Sequence, residues 1–289
     1  MKILLLGQHG QVSQALQQSL GRHIELTVLG REQLDLAKPH EIRQQVLQQR
    51  PALIINAAAH TAVDQAESEP ELTFAINATA PGILAEAAAE LGAPLIHYST
   101  DYVFDGSKAT PYHEADTPNP LSVYGRSKLA GEQAITAVGG SHLILRTSWV
   151  YSQHGKNFLL TMQRLLQERD SLNVVDDQIG APTWAGTIAQ TTAQLIERWH
   201  TGQSGPWGVY HLTAKGQASW FDFAKEIAAH LQSQGKRVAT LHPIPSSAYP
   251  TPAQRPLNSR LDCSRLEHAW QVQLPDWQSA LNECLHAAN

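Results

Sequence analysis

Short apolar runs alternate with longer amphipathic stretches through the first half of the chain. The apolar runs predict strands over residues 3–6, 25–29, 53–55, 94–98 and 142–145. The stretches between them predict helices over residues 11–20, 39–49, 71–91 and 122–138. Short, continuously apolar strands separated by helices are typical of a parallel sheet that is covered on both faces. With right-handed crossovers, the pattern predicts an α/β fold with a Rossmann-type, doubly wound parallel sheet.

The pattern loosens after about residue 150. It predicts helices over residues 157–168, 185–200, 220–233 and 277–286. Residues 242–256 hold five prolines, and so many prolines exclude a central strand or a helix interior, which leaves an ordered loop. We expect a dinucleotide-binding domain over residues 1–150. Residues 151–289 then form mainly a smaller, substrate-binding lobe, from which the chain crosses back to the first domain.

Composition narrows the class of protein. The 289 residues are 42% hydrophobic and 16% charged, which is ordinary for a globular enzyme. The net charge of −5 and the lack of a dense basic run argue against a nucleic-acid partner. We expect no membrane partner, because no apolar run reaches the ~20 residues of a membrane span, and we find no signal peptide at the N-terminus. The chain has two cysteines, Cys263 and Cys284, and they predict no disulfide framework but a reducing, cytoplasmic location.

A glycine-containing loop follows the first predicted strand. Gly7 permits a tight turn, and Gly10 lets the backbone approach a phosphate at the start of the next helix. The free N–H groups and the dipole of a helix N-terminus favour an anion there. Ser13 stands where a third glycine is usual. The loop therefore predicts a dinucleotide site, with an ordinary strand-to-helix turn as the alternative.

Residues after the second predicted strand bear on the choice between NADPH and NADH. Arg31 suits the 2′-phosphate of NADPH, whereas Glu32 suits a free ribose hydroxyl. The cofactor is therefore predicted to be NADPH or NADH, with NADPH favoured and dual use left open. Asp35 and Leu36 are candidates for the adenine end. The small side chains of residues 56–59 suit either a wall along the dinucleotide or close packing.

Tyr124 and Lys128 are spaced one helical turn apart, so that they share one face of the predicted helix 122–138. Hydride reduction of a ketone leaves an alkoxide that needs a proton, and a nearby cation would lower the usual phenol pKa of ~10. Thr100, at the end of a strand, would hold the carbonyl oxygen, and Asp101 would position the substrate. In the alternative interpretation, Lys128 is solvated and Tyr124 only packs.

Several segments resemble the extended short-chain reductases, and within them the family of dTDP-4-dehydrorhamnose reductases. The matching segments span most of the chain: residues 56–64 (NAAAHTAVD), 67–70 (ESEP), 98–104 (YSTDYVF), 123–132 (VYGRSKLAGE), 145–151 (LRTSWVY), 177–183 (DQIGAPT) and 253–261 (AQRPLNSRL). The resemblance implies reduction of the C4 ketone of dTDP-4-dehydro-L-rhamnose to dTDP-L-rhamnose, the last step in making activated rhamnose, a sugar of lipopolysaccharides. The implied partner is a dTDP-linked deoxysugar.

The resemblance also implies residue roles. Tyr124 would donate the proton, Lys128 would modulate it and bind the cofactor ribose, and Thr100 would tune the tyrosine. The implied cofactor-binding positions are Gly10, Gln11, Val12, Asp35, Leu36, Ala59, His60, Thr61 and Tyr98.

The positions that match the substrate site in the family are Thr100, Asp101 and Trp149. Trp149 offers a flat apolar face to a sugar, although simple core packing is the alternative. Arg255 and Arg260, in the proline-rich stretch, could bind a pyrophosphate in bidentate fashion. Structural ion pairs are the competing interpretation for both arginines.

The chain departs from the family at the positions that bind magnesium in some members. Those positions are Ala15 and Gly186 here, and neither side chain can ligate a cation. We therefore predict no metal, and a homodimer, which stays open, would not be linked by one.

The sequence leaves two other functions open. The first is a nucleotide-sugar epimerase or dehydratase of the same fold, although Tyr102 after Asp101 leaves the acid pair of a dehydratase incomplete. The second is a non-catalytic regulatory subunit on the reductase fold. Such a subunit would not require Thr100, Tyr124 and Lys128 together.

Overall fold

The computed structural model describes residues 1–21 and 24–287. The strands are β1 (Lys2–Leu6), β2 (Glu25–Leu29), β3 (Leu53–Asn56), β4 (Leu95–Thr100), β5 (His142–Thr147), β6 (Val150–Tyr151), β7 (Ser171–Val175), β8 (Ile179–Gly180), β9 (Thr183–Trp184), β10 (Gly208–His211), β11 (Ala218–Ser219) and β12 (Thr240–Ile244).

The helices are α1 (Gln11–Ser19), α2 (Pro39–Gln49), α3 (Val63–Ala66), α4 (Pro70–Phe74), α5 (Ala80–Leu91), α6 (Val123–Val138), α7 (Phe158–Glu168), α8 (Ala185–His200), α9 (Trp220–Ser233), α10 (Ser264–Trp270) and α11 (Trp277–His286). A π-helical segment, Ala75–Thr79, joins α4 to α5, and single 3₁₀ turns lie at Asp101–Val103 and Ser246–Ala248.

Six parallel strands form the central sheet in the order β10-β5-β4-β3-β1-β2. Five of them are the strands predicted from apolar runs. The sixth, β10, comes from the second half of the chain and pairs with β5. Every residue of β3 and β4 is buried, as a parallel sheet covered on both faces requires. The predicted doubly wound α/β architecture is present.

The alternation of side chains along β1 builds two separate cores. Ile3 and Leu5 point to one face of the sheet and pack with Leu16 of α1 and Ile188 of α8. Leu4 and Leu6 point to the other face, where residues of α2, α5 and α6 cover them. Successive residues of a strand face opposite sides of its sheet. A strand that is apolar at every position therefore holds helices on both faces.

The stretch Pro70–Leu91 is helical throughout its 22 residues, with a mean hydropathy of 1.2 over its most apolar window. By length and composition alone it could cross a membrane, which the sequence analysis did not expect. Its α5 part packs between α2 and α6. It contributes Ala80, Leu84 and Ala88 to the core that contains Leu4 and Leu6 of β1. The stretch thus has the packing of a helix that covers a sheet.

The second half of the chain builds a further core around α7, α9 and α11, with Phe223 and Leu281 among its buried members. The prediction of a loop over residues 242–256 is wrong at its start. Thr240–Ile244 forms β12, which pairs in parallel with β7 and contains Pro243. The proline is tolerated because both strands of a two-stranded sheet are edge strands. Helix α10 was not predicted.

Candidate active site

A cavity of roughly 790 Å³ opens at the carboxyl ends of the central strands. Strand β1 lies between β2 and β3, so the order of the chain reverses there. Ligands of open α/β sheets bind in the crevice outside such a reversal point. The cavity is lined by residues from the glycine loop, from the ends of β2 to β5, from α6 and from residues 155–156.

The glycine loop has the shape that a dinucleotide needs. Gly7 has φ +102°, and a Cβ there would lie 3.0 Å from the backbone nitrogen of Ala58, so a side chain would be strained and crowded. Gly10 caps the N-terminus of α1 without a side-chain hydrogen bond. The first N–H groups of α1 therefore remain available to an anion. Ser13 is fully buried within α1.

The far end of the cavity carries the residues predicted for the adenosine. Leu36 is buried, whereas the Arg31 side chain is 77% exposed. Its Nε lies 3.8 Å from Oδ1 of Asp35, an oxygen that also accepts a hydrogen bond from the backbone N–H of Ala37. An exposed pair at this distance is weak. The guanidinium can therefore turn to a 2′-phosphate.

A buried asparagine holds the cavity wall formed by residues 57–61. Oδ1 of Asn77 accepts from the backbone N–H of His60 at 2.8 Å, and its Nδ2 donates to the carbonyl of His60 at 3.0 Å. Nδ2 also lies 3.0 Å from the hydroxyl of Ser127 on α6. Asn77 sits in the π-helical segment. No role for Asn77 was predicted from the sequence, although a lone asparagine in an apolar helix was a signal.

Tyr124 lies in the first turn of α6, whose N-cap Ser122 accepts a hydrogen bond from Gly125. Its side chain is buried, 9% exposed. Burial raises the pKa of Tyr124 to about 12, Thr100 lowers it by hydrogen bonding, and the charge of Asp101 raises it. Burial is the largest of these causes, and a lowering of this pKa by Lys128 stays a prediction.

Lys128 is buried one turn further along α6, at 1% exposure. Its Nζ donates to the carbonyl of Tyr98 at 2.7 Å and lies 3.1 Å from Nε2 of His97. Burial lowers the pKa of Lys128 to about 8, against the opposing effect of the Glu132 carboxylate. Lys128 and Tyr124 line the same cavity. The side chain of Tyr98 has another partner, since its hydroxyl bonds Thr192 of α8.

His97 has no exposed nitrogen to offer a ligand. It is 1% exposed, and its Nδ1 lies 3.0 Å from Nδ2 of Asn56. Oδ1 of Asn56 accepts from the backbone N–H of Ala58. Burial, followed by the charge of Lys128, holds the pKa of His97 well below its usual value. His97 is therefore a neutral imidazole between the amide of Asn56 and the side-chain nitrogen of Lys128, and no role for it was predicted from the sequence.

Thr100 and Asp101 come at the end of β4. The Thr100 hydroxyl donates to Oδ1 of Asp101 at 2.9 Å and accepts from the backbone N–H of Tyr102 at 3.2 Å. Oδ2 of Asp101 is buried without a partner. Burial raises the pKa of Asp101 to about 6, against the smaller lowering effects of the neighbouring hydroxyls of Ser259 and Thr100. A buried, unpaired oxygen on the cavity wall is a natural acceptor for a substrate hydroxyl.

Trp149 lines the cavity in an uncommon conformation, with φ +48°. Its ring stacks on Trp220, with centroids 3.6 Å apart and planes 7° from parallel. A Cβ at Gly180 would lie 2.6 Å from the indole of Trp149. The side chain is thus held by packing, and Trp220 covers one face of the indole that was predicted to meet a sugar.

Every residue predicted to bind the cofactor lines the cavity, as do Thr100, Asp101 and Trp149. The two residues that were predicted to bind the pyrophosphate, Arg255 and Arg260, do not line this cavity. Arg255 pairs with Asp64, Nη2 lying 2.8 Å from Oδ2. Arg260 donates to Asn258, to Gln217 and to the carbonyl of Ala109. In this structure both guanidinium groups bond protein atoms, and the pyrophosphate role of the two arginines stays a prediction.

No group of three or more histidine, cysteine, aspartate or glutamate side chains could hold a metal ion within residues 1–21 and 24–287. At one of the two family positions for magnesium, Gly186, a Cβ would lie 2.4 Å from the indole of Trp184.

The chain is similar to known proteins over its whole length. The family model described as RmlD substrate binding domain matches residues 1–289. A dTDP-4-dehydrorhamnose reductase of Sinorhizobium fredii is 44% identical over 288 residues, which cover 99% of this chain and 97% of that protein.

Two solved structures are similar in sequence and in fold. A dTDP-4-dehydrorhamnose reductase of Clostridium acetobutylicum is 36% identical, with a TM-score of 0.92 and 100% of this chain and 99% of that one covered. Another reductase of this name, from Bacillus anthracis in complex with NADP, is 34% identical, with a TM-score of 0.91 and 99% of each chain covered.

Proposed function

This chain belongs to the dTDP-4-dehydrorhamnose reductase family, and we propose that it reduces the C4 ketone of dTDP-4-dehydro-L-rhamnose to dTDP-L-rhamnose, with NADPH or NADH as the reductant. It is an oxidoreductase on a nucleotide sugar. The proposal depends on one observation. Thr100, Tyr124, Lys128 and the glycine loop all line the same cavity.

The residues that line the cavity suit a nicotinamide dinucleotide. Gly7 and Gly30 let the chain pack closely beside the cavity, since a Cβ at Gly7 would lie 3.0 Å from the backbone of Ala58 and one at Gly30 would lie 2.7 Å from the side chain of Gln8. When bound, the dinucleotide would supply the hydride for the carbonyl carbon of the substrate. The residues that would hold it are those of the glycine loop, the end of β2, residues 59–61 and Lys128.

Tyr124 would give its phenolic proton to the oxygen that hydride addition leaves negative. With its pKa raised to about 12, the phenol is fully protonated near neutral pH and is ready to act as a donor. The buried ammonium of Lys128 would stabilise the phenolate that remains. Thr100 would hold the carbonyl oxygen, and Asp101 would accept a hydrogen bond from the sugar.

The remaining features extend this proposal. We propose that residues 1–150 form mainly the dinucleotide-binding domain and residues 151–289 mainly the substrate lobe, supported by the separate core around α7, α9 and α11. Strand β10 and helix α8 are where the chain returns to the first domain. We propose a cytoplasmic enzyme without a metal, without a nucleic-acid or membrane partner, and with any homodimer not linked by metal.

The alternative activities have less support. Relatives that are at least 40% identical over nearly the whole chain are named reductases. Tyr102, rather than a second acid, follows Asp101, which speaks against a dehydratase. The intact set of Thr100, Tyr124 and Lys128 speaks against a regulatory subunit.

The direct test is incubation of the purified protein with dTDP-4-dehydro-L-rhamnose and each reduced nicotinamide, followed by identification of the nucleotide sugar. We expect one equivalent of dTDP-L-rhamnose for each cofactor oxidised. An epimerase would change the sugar without consuming cofactor. Binding of NADPH without its oxidation would replace the proposal with the regulatory role.

A further inference from the structure

The second lobe reaches across the cavity to the start of α1. Gln11, the first residue of that helix, accepts hydrogen bonds at Oε1 from the Ser152 hydroxyl at 3.0 Å and from Asn157 Nδ2 at 2.8 Å. Its Nε2 lies 3.5 Å from the carbonyl of Val150. These contacts join residues more than 130 positions apart. They fix the loop over residues 152–157 above the helix N-terminus.

This loop is itself well ordered by local contacts. Asn157 caps α7 by accepting from the backbone N–H of Leu160 at 3.1 Å. Gly155 has φ +75°, and a Cβ there would lie 3.7 Å from Cγ of Gln11. Lys156 follows directly, is exposed, and lines the cavity together with Gly155 and Gln11. The chain thus presents a lysine beside the glycine loop from the opposite lobe.

Charge around the cavity is unevenly distributed. Two other cations line it: Arg31 at the adenosine end and Lys128, which is buried beneath the nicotinamide end. The lining carboxylates are Asp35, beside Arg31, and Asp101, after β4. Among the residues that the structure describes, no carboxylate lies within ion-pairing distance of Lys156. Its ammonium is therefore free to meet an anion between these two ends.

We propose that Lys156 binds the pyrophosphate of the nicotinamide dinucleotide from the substrate lobe, opposite the N-terminus of α1. This rests on the proposed dinucleotide site. The helix N–H groups approach the diphosphate from one side, and the lysine supplies the full positive charge that the glycine loop lacks. The substrate also carries a diphosphate. The diphosphate of the cofactor is favoured because Lys156 directly follows Gly155, where a Cβ would lie 3.7 Å from Cγ of Gln11 at the start of α1.

The test measures dissociation constants by titration of protein fluorescence, for NADPH and for NADH, without substrate. We expect Lys156→Gln to weaken both dinucleotides by the same factor, about tenfold, as loss of one charge-assisted hydrogen bond implies. The diphosphate is common to both cofactors, so equal loss is the decisive feature. The wild-type affinity should also fall more steeply with salt than that of the variant.

Two variants serve as controls. Lys225→Gln removes an exposed lysine that pairs with Asp222 on α9 and should leave both affinities unchanged. Arg31→Gln should weaken NADPH far more than NADH, because only NADPH has a 2′-phosphate. An unchanged melting temperature will show that Lys156→Gln is folded, as its exposed position leads us to expect.

The outcomes separate this inference from the proposed function. Wild-type protein that binds neither dinucleotide would overturn both. Wild-type protein that binds them while Lys156→Gln binds equally well would overturn the lysine assignment alone. The same holds if the variant weakens NADPH only, or if it loses affinity for dTDP while both dinucleotides bind as before.

Discussion

Nζ of Lys128 lies 3.1 Å from Nε2 of His97, in the interior of the protein. The hydrogen bonds around this pair determine the tautomer of the imidazole. Because Ala58 donates to Oδ1 of Asn56, the amide presents an N–H to Nδ1 of His97. Nδ1 is then the acceptor, and the proton of the neutral ring sits on Nε2, pointing at Lys128. An N–H that points at Lys128 disfavours its charged form. It therefore lowers the pKa of Lys128, as burial also does.

His97→Gln should therefore raise the pKa of Lys128 from about 8. A glutamine can present its amide oxygen to the ammonium, which stabilises the charged form. The basic limb of the pH profile of kcat/KM, on which Lys128 loses its charge, should move to higher pH by roughly half a unit or more. The profile is measured with saturating cofactor. A limb that stays in place, with only a lower rate, would leave His97 a purely structural role.

Tyr124→Phe should lower kcat by roughly 10²- to 10⁴-fold, the usual effect of a lost general acid. The dissociation constants of cofactor and substrate should change little, because the ring remains. The matched control is Tyr151→Phe, since the hydroxyl of Tyr151 is buried without a partner in the core around α7, α9 and α11. Stopped-flow or steady-state oxidation of NADPH measures both variants. Near-normal turnover in Tyr124→Phe would remove the assigned role.

Those parts of the site that depend on local sequence could be predicted. The apolar runs located five strands of the central sheet, and the spacing from Tyr124 to Lys128 placed both residues on one helix face. Gly7 and Gly10 lie where the strand-to-helix turn required them. Each of these features arises within one or two adjacent elements. Its geometry therefore follows from the local sequence.

The parts that depend on tertiary packing could not be predicted. Arg255 was expected at a pyrophosphate, yet its partner Asp64 is 191 residues away. The sequence around Arg255 does not indicate that Asp64 lies beside it in the fold. Lys156 was missed for the same reason, because only the contacts of Gln11 with the second lobe place it at the cavity. His97 was read as an apolar strand position.

The buried carboxyl of Asp101 should make stability depend on pH. Its pKa is raised from 3.8 to about 6, so the protonated form is favoured in the folded state. This contribution is fully present below pH ~4 and is lost as the pH rises through about 6. Asp101→Asn should remove this loss. Relative to the wild type, the variant should gain on the order of 3 kcal/mol between pH 4 and 7. Urea unfolding across that range measures it, and parallel curves for the two proteins would contradict the raised pKa.

A buried ion pair lies behind the end of the sheet that carries Thr100. Nε and Nη2 of Arg146 on β5 donate to the two carboxylate oxygens of Glu132 on α6, at 2.9 and 2.6 Å. The side chains are 5% and 4% exposed. The guanidinium also lies 5.1 Å from the ring centroid of Phe104, and its Nη1 has no partner. The pair joins a central strand to the helix of Tyr124 and Lys128.

Removing one partner of this pair should cost far more than removing both. Arg146→Met leaves the Glu132 carboxylate buried and unpaired, which should lower the free energy of unfolding by about 3–5 kcal/mol. The double variant Arg146→Met with Glu132→Leu exchanges the pair for apolar side chains of similar size. It should recover most of that loss and could exceed the wild type, because burying two charges is itself costly. Urea denaturation of the two single variants and the double variant completes the cycle. Additive losses would mean that the two charges do not interact as their geometry implies.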